Sequence, residues 1–201
     1  MPSPALTALS PLDGRYREKV ARLAEHFSEF GLIRYRVRVE IEWLKALAGA
    51  GLDEITPLSP ATIKELDRVA QDFSLTDGET VKTIEARTNH DVKAIEYWLR
   101  EKLSANSEVA GVTRFIHFAC TSEDINNLCH ALMLKDSRAQ VLLPAIDALI
   151  EKLVGIAHAT AELPCCPAPM DNPRRPAHWA RKWRIWRIGC AGSAHGSIAC
   201  P

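Results

Sequence analysis

No run of 18 or more apolar residues occurs in this sequence, so nothing in it reads as a membrane span. The opening Met1-Pro2-Ser3-Pro4 has neither a basic stretch nor an apolar core, so it does not read as a secretory signal. A cytoplasmic location is the resulting expectation. Cysteine is scarce over most of the chain: only Cys120 and Cys129 precede residue 165, and Cys165, Cys166, Cys190 and Cys200 crowd behind it. These four lack the paired CxxC spacing of structural zinc, so no metal site is expected. Net charge is also missing, with 25 basic residues against 25 acidic ones.

That balance hides an asymmetry. Six basic residues (Arg174, Arg175, Arg181, Lys182, Arg184, Arg187) and one acid (Asp171) follow Pro164. The body is therefore about −5 and the tail about +5. Proline, tryptophan and cysteine all jump at Cys165, the sharpest compositional break in the chain. The rest is ordinary for a globular protein, 47% hydrophobic and 25% charged, and 201 residues suffice for one domain with a sizeable core.

The periodicity is helical throughout. Residues 1–16 read as extended, because Pro2, Pro4 and Pro11 bar a helix, and Asp13-Gly14 reads as a turn presenting Arg15 and Tyr16. A helix is expected over 17–30, ended by Gly31, and another over 33–48, with Val37, Ile41, Trp43, Leu44 and Leu47 apolar. The charges of that second helix (Arg34, Arg36, Arg38, Glu40, Glu42, Lys45) read as one solvated face with i,i+4 pairs. Ser59-Pro60 reads as an N-cap followed by an N1 proline. Thr76-Asp77-Gly78 reads as a break before a short helix over 80–86. Asp91 is the expected cap of a helix over 92–103, buried through Val92, Ile95, Leu99 and Leu103. After Ser122 an aliphatic pattern continues to about Ala161, roughly 35 residues or near 50 Å of helix. Pro144 is expected to kink it.

Chemistry concentrates in residues 115–127, Phe-Ile-His-Phe-Ala-Cys-Thr-Ser-Glu-Asp-Ile-Asn-Asn. Thr121 and Ser122 are good N-caps, and Asp124, three after Thr121, resembles a capping-box partner. A helix N-terminus beside hydroxyls and His117 attracts anions. On spacing alone, an ordinary cap beside a core histidine is the favoured reading. His90, between Asn89 and Asp91 at another helix entry, reads by itself as a loop histidine. Arg15 reads as a surface arginine, although a guanidinium fork also suits phosphate oxygens.

The 115–127 stretch resembles the second signature of the adenylosuccinate lyase family, in the fumarase/aspartase superfamily. Ser10-Pro11-Leu12-Asp13-Gly14-Arg15-Tyr16 and Thr88-Asn89-His90-Asp91-Val92-Lys93-Ala94 resemble two further family motifs, in order and at family-like separations. The resemblance runs from about Leu6 to Pro164 and covers about the first third of a family chain. It implies an all-α fold: an N-terminal helical domain over 1–111, then the first long helix of a superfamily-type bundle over 112–164. Residues 165–201 are expected to be an aberrant, disordered tail. It implies elimination of fumarate from adenylosuccinate and from the matching succinylated ribotide of purine synthesis, in a homotetramer, without a cofactor. It implies catalytic roles for His117 and His90, and substrate binding by Arg15, Tyr16, Asn89, His90, Asp91, Thr121 and Ser122. Nucleic acid and membrane are not expected partners.

Where the family continues with a hydroxyl-His-Gly-Gln-Pro signature, this chain reads Cys-Cys-Pro-Ala-Pro-Met-Asp-Asn-Pro from Cys165 to Pro173. Codons for Met-Leu-Ser-Arg-Thr-His-Gly-Gln-Pro, read from their second base, yield that string, so the tail reads as a shifted frame. A chain without that histidine, and without the family's downstream serine loop, is expected to be inactive alone. Two other readings are a sibling such as argininosuccinate lyase, and a non-catalytic module. The second would use Trp179, Trp183 and Trp186 among the tail's cations.

Overall fold

The computed structural model describes residues 6–161 and the backbone of 164–165 and 177–178. The expectations for the remainder of the tail, including its shifted frame and its tryptophans, lie outside the described residues. Contacts divide the chain into two compact units, Met1–Asp136 and Ser137–Pro201.

The first unit is helical, as expected of an all-α chain. In order it holds α1 (Ala21–Phe27), α2 (Glu29–Gly49), α3 (Pro60–Gln71), α4 (Leu75–Thr88), α5 (Asp91–Lys102) and α6 (Ser107–Val112). A 3-10 turn (Thr113–Phe115) follows, and then α7 (Ser122–Ser137), of which all but the last residue belongs to this unit.

Helix α2 is the axis. At 100° per residue, Ile33, Val37, Ile41, Leu44 and Ala48 fall on one arc, and they join Leu66 of α3, Val81 and Ile84 of α4, and Ile95 and Leu99 of α5 in the main core. Tyr35 and Val39 fall on a second arc and form a separate core with Ile125, Cys129 and Met133 of α7. Arg34, Arg38, Glu42 and Lys45 share the strip between those arcs on one side. Arg36 and Glu40 lie in the gap on the other side, and both are buried. The single solvated face read from the sequence is therefore corrected: it holds four of the six charges, and packing on two faces encloses the other two.

The smaller core has a polar edge. The Tyr35 hydroxyl donates to Asp136 Oδ2 at 3.0 Å and lies 2.9 Å from Nδ1 of the buried His26, tying α1, α2 and α7 together. Burial, reinforced by the Asp136 carboxylate, pushes the Tyr35 phenol up to about 12.

Helix entries account for three further corrections. Gly31 does not end a helix. Ser28 caps α2 by accepting the Gly31 N–H, and Gly31 lies in the first turn because the carbonyls closing α1 press against it. Residues 76–78 do not break a helix, because Ser74 and Asp77 form a reciprocal capping box and α4 runs on through Gly78. His90, not Asp91, caps α5, its Nδ1 accepting the Lys93 N–H at 3.2 Å. The reading of Ser59 as N-cap with Pro60 in the first turn holds. So does the buried face Val92, Ile95, Leu99 and Leu103.

The second unit holds a π-helical turn (Arg138–Leu142), α8 (Leu143–Ala159), and β1 (Pro164–Cys165) paired antiparallel with β2 (Ala177–His178). Nothing in the sequence anticipates the strand pair. Pro144 sits in the first turn of α8. It has no N–H to return to the preceding turn and its ring crowds that turn, which is the one widened to π geometry. The expected interruption at Pro144 is thus a π turn just before it.

One glycine exchange tests this packing in two directions. A Cβ on Gly31 would lie 2.7 Å from the His26 carbonyl oxygen, whereas one on Gly49 would meet nothing within 4 Å. Gly31→Ala is expected to lower unfolding stability by about 1–3 kcal/mol, as overpacking does. Gly49→Ala should raise it by roughly 0.5–1 kcal/mol through helix propensity. Urea unfolding of both variants checks this, and equal signs would contradict the packing of α1 against α2.

Candidate functional site

Helix α2 carries the site on its buried gap. The Arg36 guanidinium, 6% exposed, donates from Nη2 to Asp91 Oδ2 at 2.6 Å and from Nε to Asn126 Oδ1 at 2.9 Å. One side chain therefore joins the start of α5 to the first turns of α7. One turn further along α2, Glu40 grips His117. Its Oε2 accepts the His117 backbone N–H at 3.1 Å, and its Oε1 lies 2.6 Å from the ring Nδ1.

The segment before α7 is held at several points besides Glu40. Trp43 of α2 donates its indole N–H to the Phe118 carbonyl at 2.9 Å, and Phe115 and Phe118 meet edge to face at 5.4 Å. These ties maintain His117 at φ 64° and Ala119 at φ 56°, both in the left-handed region that non-glycine residues seldom occupy. Thr121 then caps α7: its N–H and hydroxyl donate to Asp124 Oδ2 at 2.7 and 2.8 Å, and its Oγ1 receives the Asp124 N–H at 3.4 Å. The backbone N–H of Thr121, helped by its hydroxyl, holds the Asp124 carboxyl below its ordinary value.

An open cleft of about 610 Å³ lies beside the 89–91 segment, lined by Arg36, Asn89, His90 and Asp91 with Glu29, Leu32, Lys82, Glu85 and Ala86. Its charged rim is mixed, because Lys82 pairs with Glu29 at 3.2 Å and with Glu85 at 2.9 Å. Asn89 reaches it from a left-handed backbone at φ 52°. His90, whose Nδ1 is spent as an acceptor, carries its proton on Nε2 when neutral and so offers a donor.

The structure thus groups Asn89, His90 and Asp91 around one cleft and joins them through Arg36 to Asn126 in the stretch bearing Thr121 and Ser122. His117, Thr121 and Ser122 are not among the residues lining the cleft. The Thr121 hydroxyl is engaged in the cap, whereas the Ser122 hydroxyl has no hydrogen-bond partner among the described residues. Arg15 and Tyr16 lie exposed in the turns before α1. The Arg15 guanidinium stacks on the Tyr16 ring at 4.7 Å, and neither touches the cleft. Among the described residues no group of His, Cys, Asp and Glu could hold a metal ion. Arg36, Glu40 and Trp43 were missed by the sequence reading. The available signal was angular: on a helical wheel Arg36 and Glu40 fall between two apolar arcs rather than with the other four charges.

The model of a family described as lyase matches residues 14–166, ending one residue past the compositional break. The chain is 47% identical over 173 residues to the adenylosuccinate lyase of Haemophilus influenzae, covering 86% of this chain and 38% of that one. It is 47% identical over 174 residues to the adenylosuccinate lyase of Escherichia coli K12, with the same coverage. To that of Legionella pneumophila strain Corby it is 45% identical over 158 residues, covering 77% of this chain and 35% of the other. The chain spans less than two fifths of the length of these curated relatives.

Acid should weaken the junction at Asp91. Burial alone would raise its carboxyl, but the Val92 N–H and the Arg36 guanidinium more than offset this and hold it below the ordinary value. A depressed carboxyl stabilises the fold above its unfolded value of about 4 and loses that contribution as pH falls through the folded value. The stability gap between wild type and Asp91→Asn should therefore shrink between about pH 5 and pH 3. Urea midpoints across that window check it, and a constant gap would contradict the ion pair.

Proposed function

The chain belongs to the lyase family, and from that premise we propose that it descends from an adenylosuccinate lyase, acting in purine biosynthesis in the cytoplasm as a homotetramer. The reaction is an elimination. A base takes a carbon-bound proton beside a carboxylate, the neighbouring carbon–nitrogen bond breaks, fumarate departs, and an acid returns a proton to the nitrogen of AMP. The same chemistry serves the succinylated aminoimidazole carboxamide ribotide.

The observation that carries this reading is the double tie at Arg36, which fastens the 88–94 motif and the 115–127 motif to one helix. Asn89 and the Nε2–H of His90 donate to substrate oxygens at the cleft. His117 meets a carboxylate or phosphate oxygen, and the free Ser122 hydroxyl adds a donor there. Thr121 supports the site through the cap and Asp91 through Arg36. Arg15, with Tyr16 beneath it, supplies a guanidinium for the nucleotide phosphate. No metal or redox cofactor enters such an elimination. Where the family carries its hydroxyl-His-Gly-Gln-Pro signature this chain reads Cys165 to Pro173 instead, and on this reading it binds substrate without completing the elimination alone.

Two measurements on the purified chain test this. Fumarate release from adenylosuccinate should be undetectable; steady release, with host enzyme excluded, would contradict the inactive reading. Adenylosuccinate should shift the amide resonances of residues 89–91 and 117–122, and argininosuccinate should not. Shifts with argininosuccinate alone would transfer the chain to that sibling. No shifts with either would remove the lyase substrate altogether.

A further inference from the structure

Glu40 is the most enclosed carboxylate in the first unit, with a side chain 0% exposed. Among the described residues its hydrogen bonds all come from one partner: the backbone N–H and the ring Nδ1 of His117. Burying a carboxylate is costly, and the usual compensation is a buried cation or several backbone N–H groups. Here both oxygens are committed to one histidine, which is itself held in a left-handed conformation. The ring is 20% exposed, and its other nitrogen, Nε2, has no partner among the described residues and is not enclosed by them. A carboxylate can only accept, so the nitrogen facing it bears the proton, and in the neutral ring the lone pair is left on Nε2.

We propose that Glu40 is a positioning residue: it fixes His117 as the Nδ1–H tautomer and turns Nε2 outward to receive an anionic oxygen. Binding such an oxygen draws a proton from solvent onto Nε2. The ring then bridges two anions, Glu40 inside and the ligand outside, through two charge-assisted hydrogen bonds. The tautomer follows from Glu40 alone. Only the identity of the ligand, a dicarboxylate or a phosphate end, rests on the lyase reading. His90 has the opposite polarity, its Nδ1 accepting and its Nε2–H donating. The two imidazoles thus meet a ligand differently.

Long-range proton–nitrogen correlation spectra of the histidine-labelled chain at neutral pH read the tautomer directly. Wild type should show His117 protonated at Nδ1. Protonation at Nε2 would mean that Glu40 is the protonated partner donating to Nδ1, and would overturn the proposal. Adding fumarate or inorganic phosphate in separate titrations should protonate Nε2, and the anion effective at lower concentration identifies which end of the substrate His117 meets. In Glu40→Gln a single amide oxygen serves two N–H groups, so the ring should move toward the Nε2–H form. Anion affinity should fall about tenfold or more, the effect of losing one charged hydrogen bond. A folded Glu40→Gln chain, judged by its helical circular dichroism, with an unchanged tautomer would also overturn the proposal. If that variant does not fold, the wild-type tautomer decides. If the tautomer is as stated and neither anion binds, the anion-receiving half of the proposal is overturned together with the lyase reading, and only the fixing of the tautomer by Glu40 stands.

Discussion

Two charges of opposite sign are buried one turn apart on a helix that packs on both sides, and the arrangement of the site depends on them. Removing Arg36 and Glu40 from water is unfavourable, and apolar residues of similar volume would serve stability as well or better. The cost is offset because each charge is fully used: Arg36 on Asp91 and Asn126, Glu40 on the ring and backbone of His117. The result is geometric. Two segments separated by two helices in sequence are fastened to adjacent turns of α2, and each segment carries residues in unusual backbone conformations at Asn89, His117 and Ala119. Burial pushes the Glu40 carboxyl upward, and the His117 ring and N–H oppose that shift.

Much of this was legible in the sequence. The apolar face of α5 and the Ser59 cap of α3 follow from local rules, and the three motifs carried the family. What escaped was set by tertiary packing. Six charges in twelve residues of α2 look like a solvated face, because a charge pattern does not state how many neighbours a helix will have. Only two apolar arcs, at Ile33–Val37–Ile41 and at Tyr35–Val39, betray that α2 is covered twice and that Arg36 and Glu40 fall in the gap. His90 and Asp91 both read as ligand candidates and Asp91 also as the cap, whereas the imidazole does the capping through Nδ1 and the carboxylate holds an arginine. Gly31 looked like a terminator because its effect depends on the close approach of α1, which no local window contains.

The site accordingly divides by mobility of role. Asp91, Thr121, Asp124, Arg36 and Glu40 have their polar atoms committed within the chain and act as framework. Asn89, His90, His117 through Nε2, and Ser122 retain groups that can turn to a ligand. Arg15 and Tyr16 stand apart, stacked on one another at the surface of the turns before α1. Within the first unit the site is therefore an organised pair of segments with a separate anion-suited arginine.

The most direct test replaces the two buried charges together. In Arg36→Met/Glu40→Leu the cores of α2 can stay packed, but residues 89–92 and 117–122 lose their anchors. Amide hydrogen exchange of this variant against wild type is expected to leave the interiors of α2, α3 and α5 protected, while those two segments exchange about tenfold faster or more, as the loss of one charged hydrogen bond implies. Unchanged protection of both segments, with the helices intact, would show that something other than Arg36 and Glu40 arranges the site.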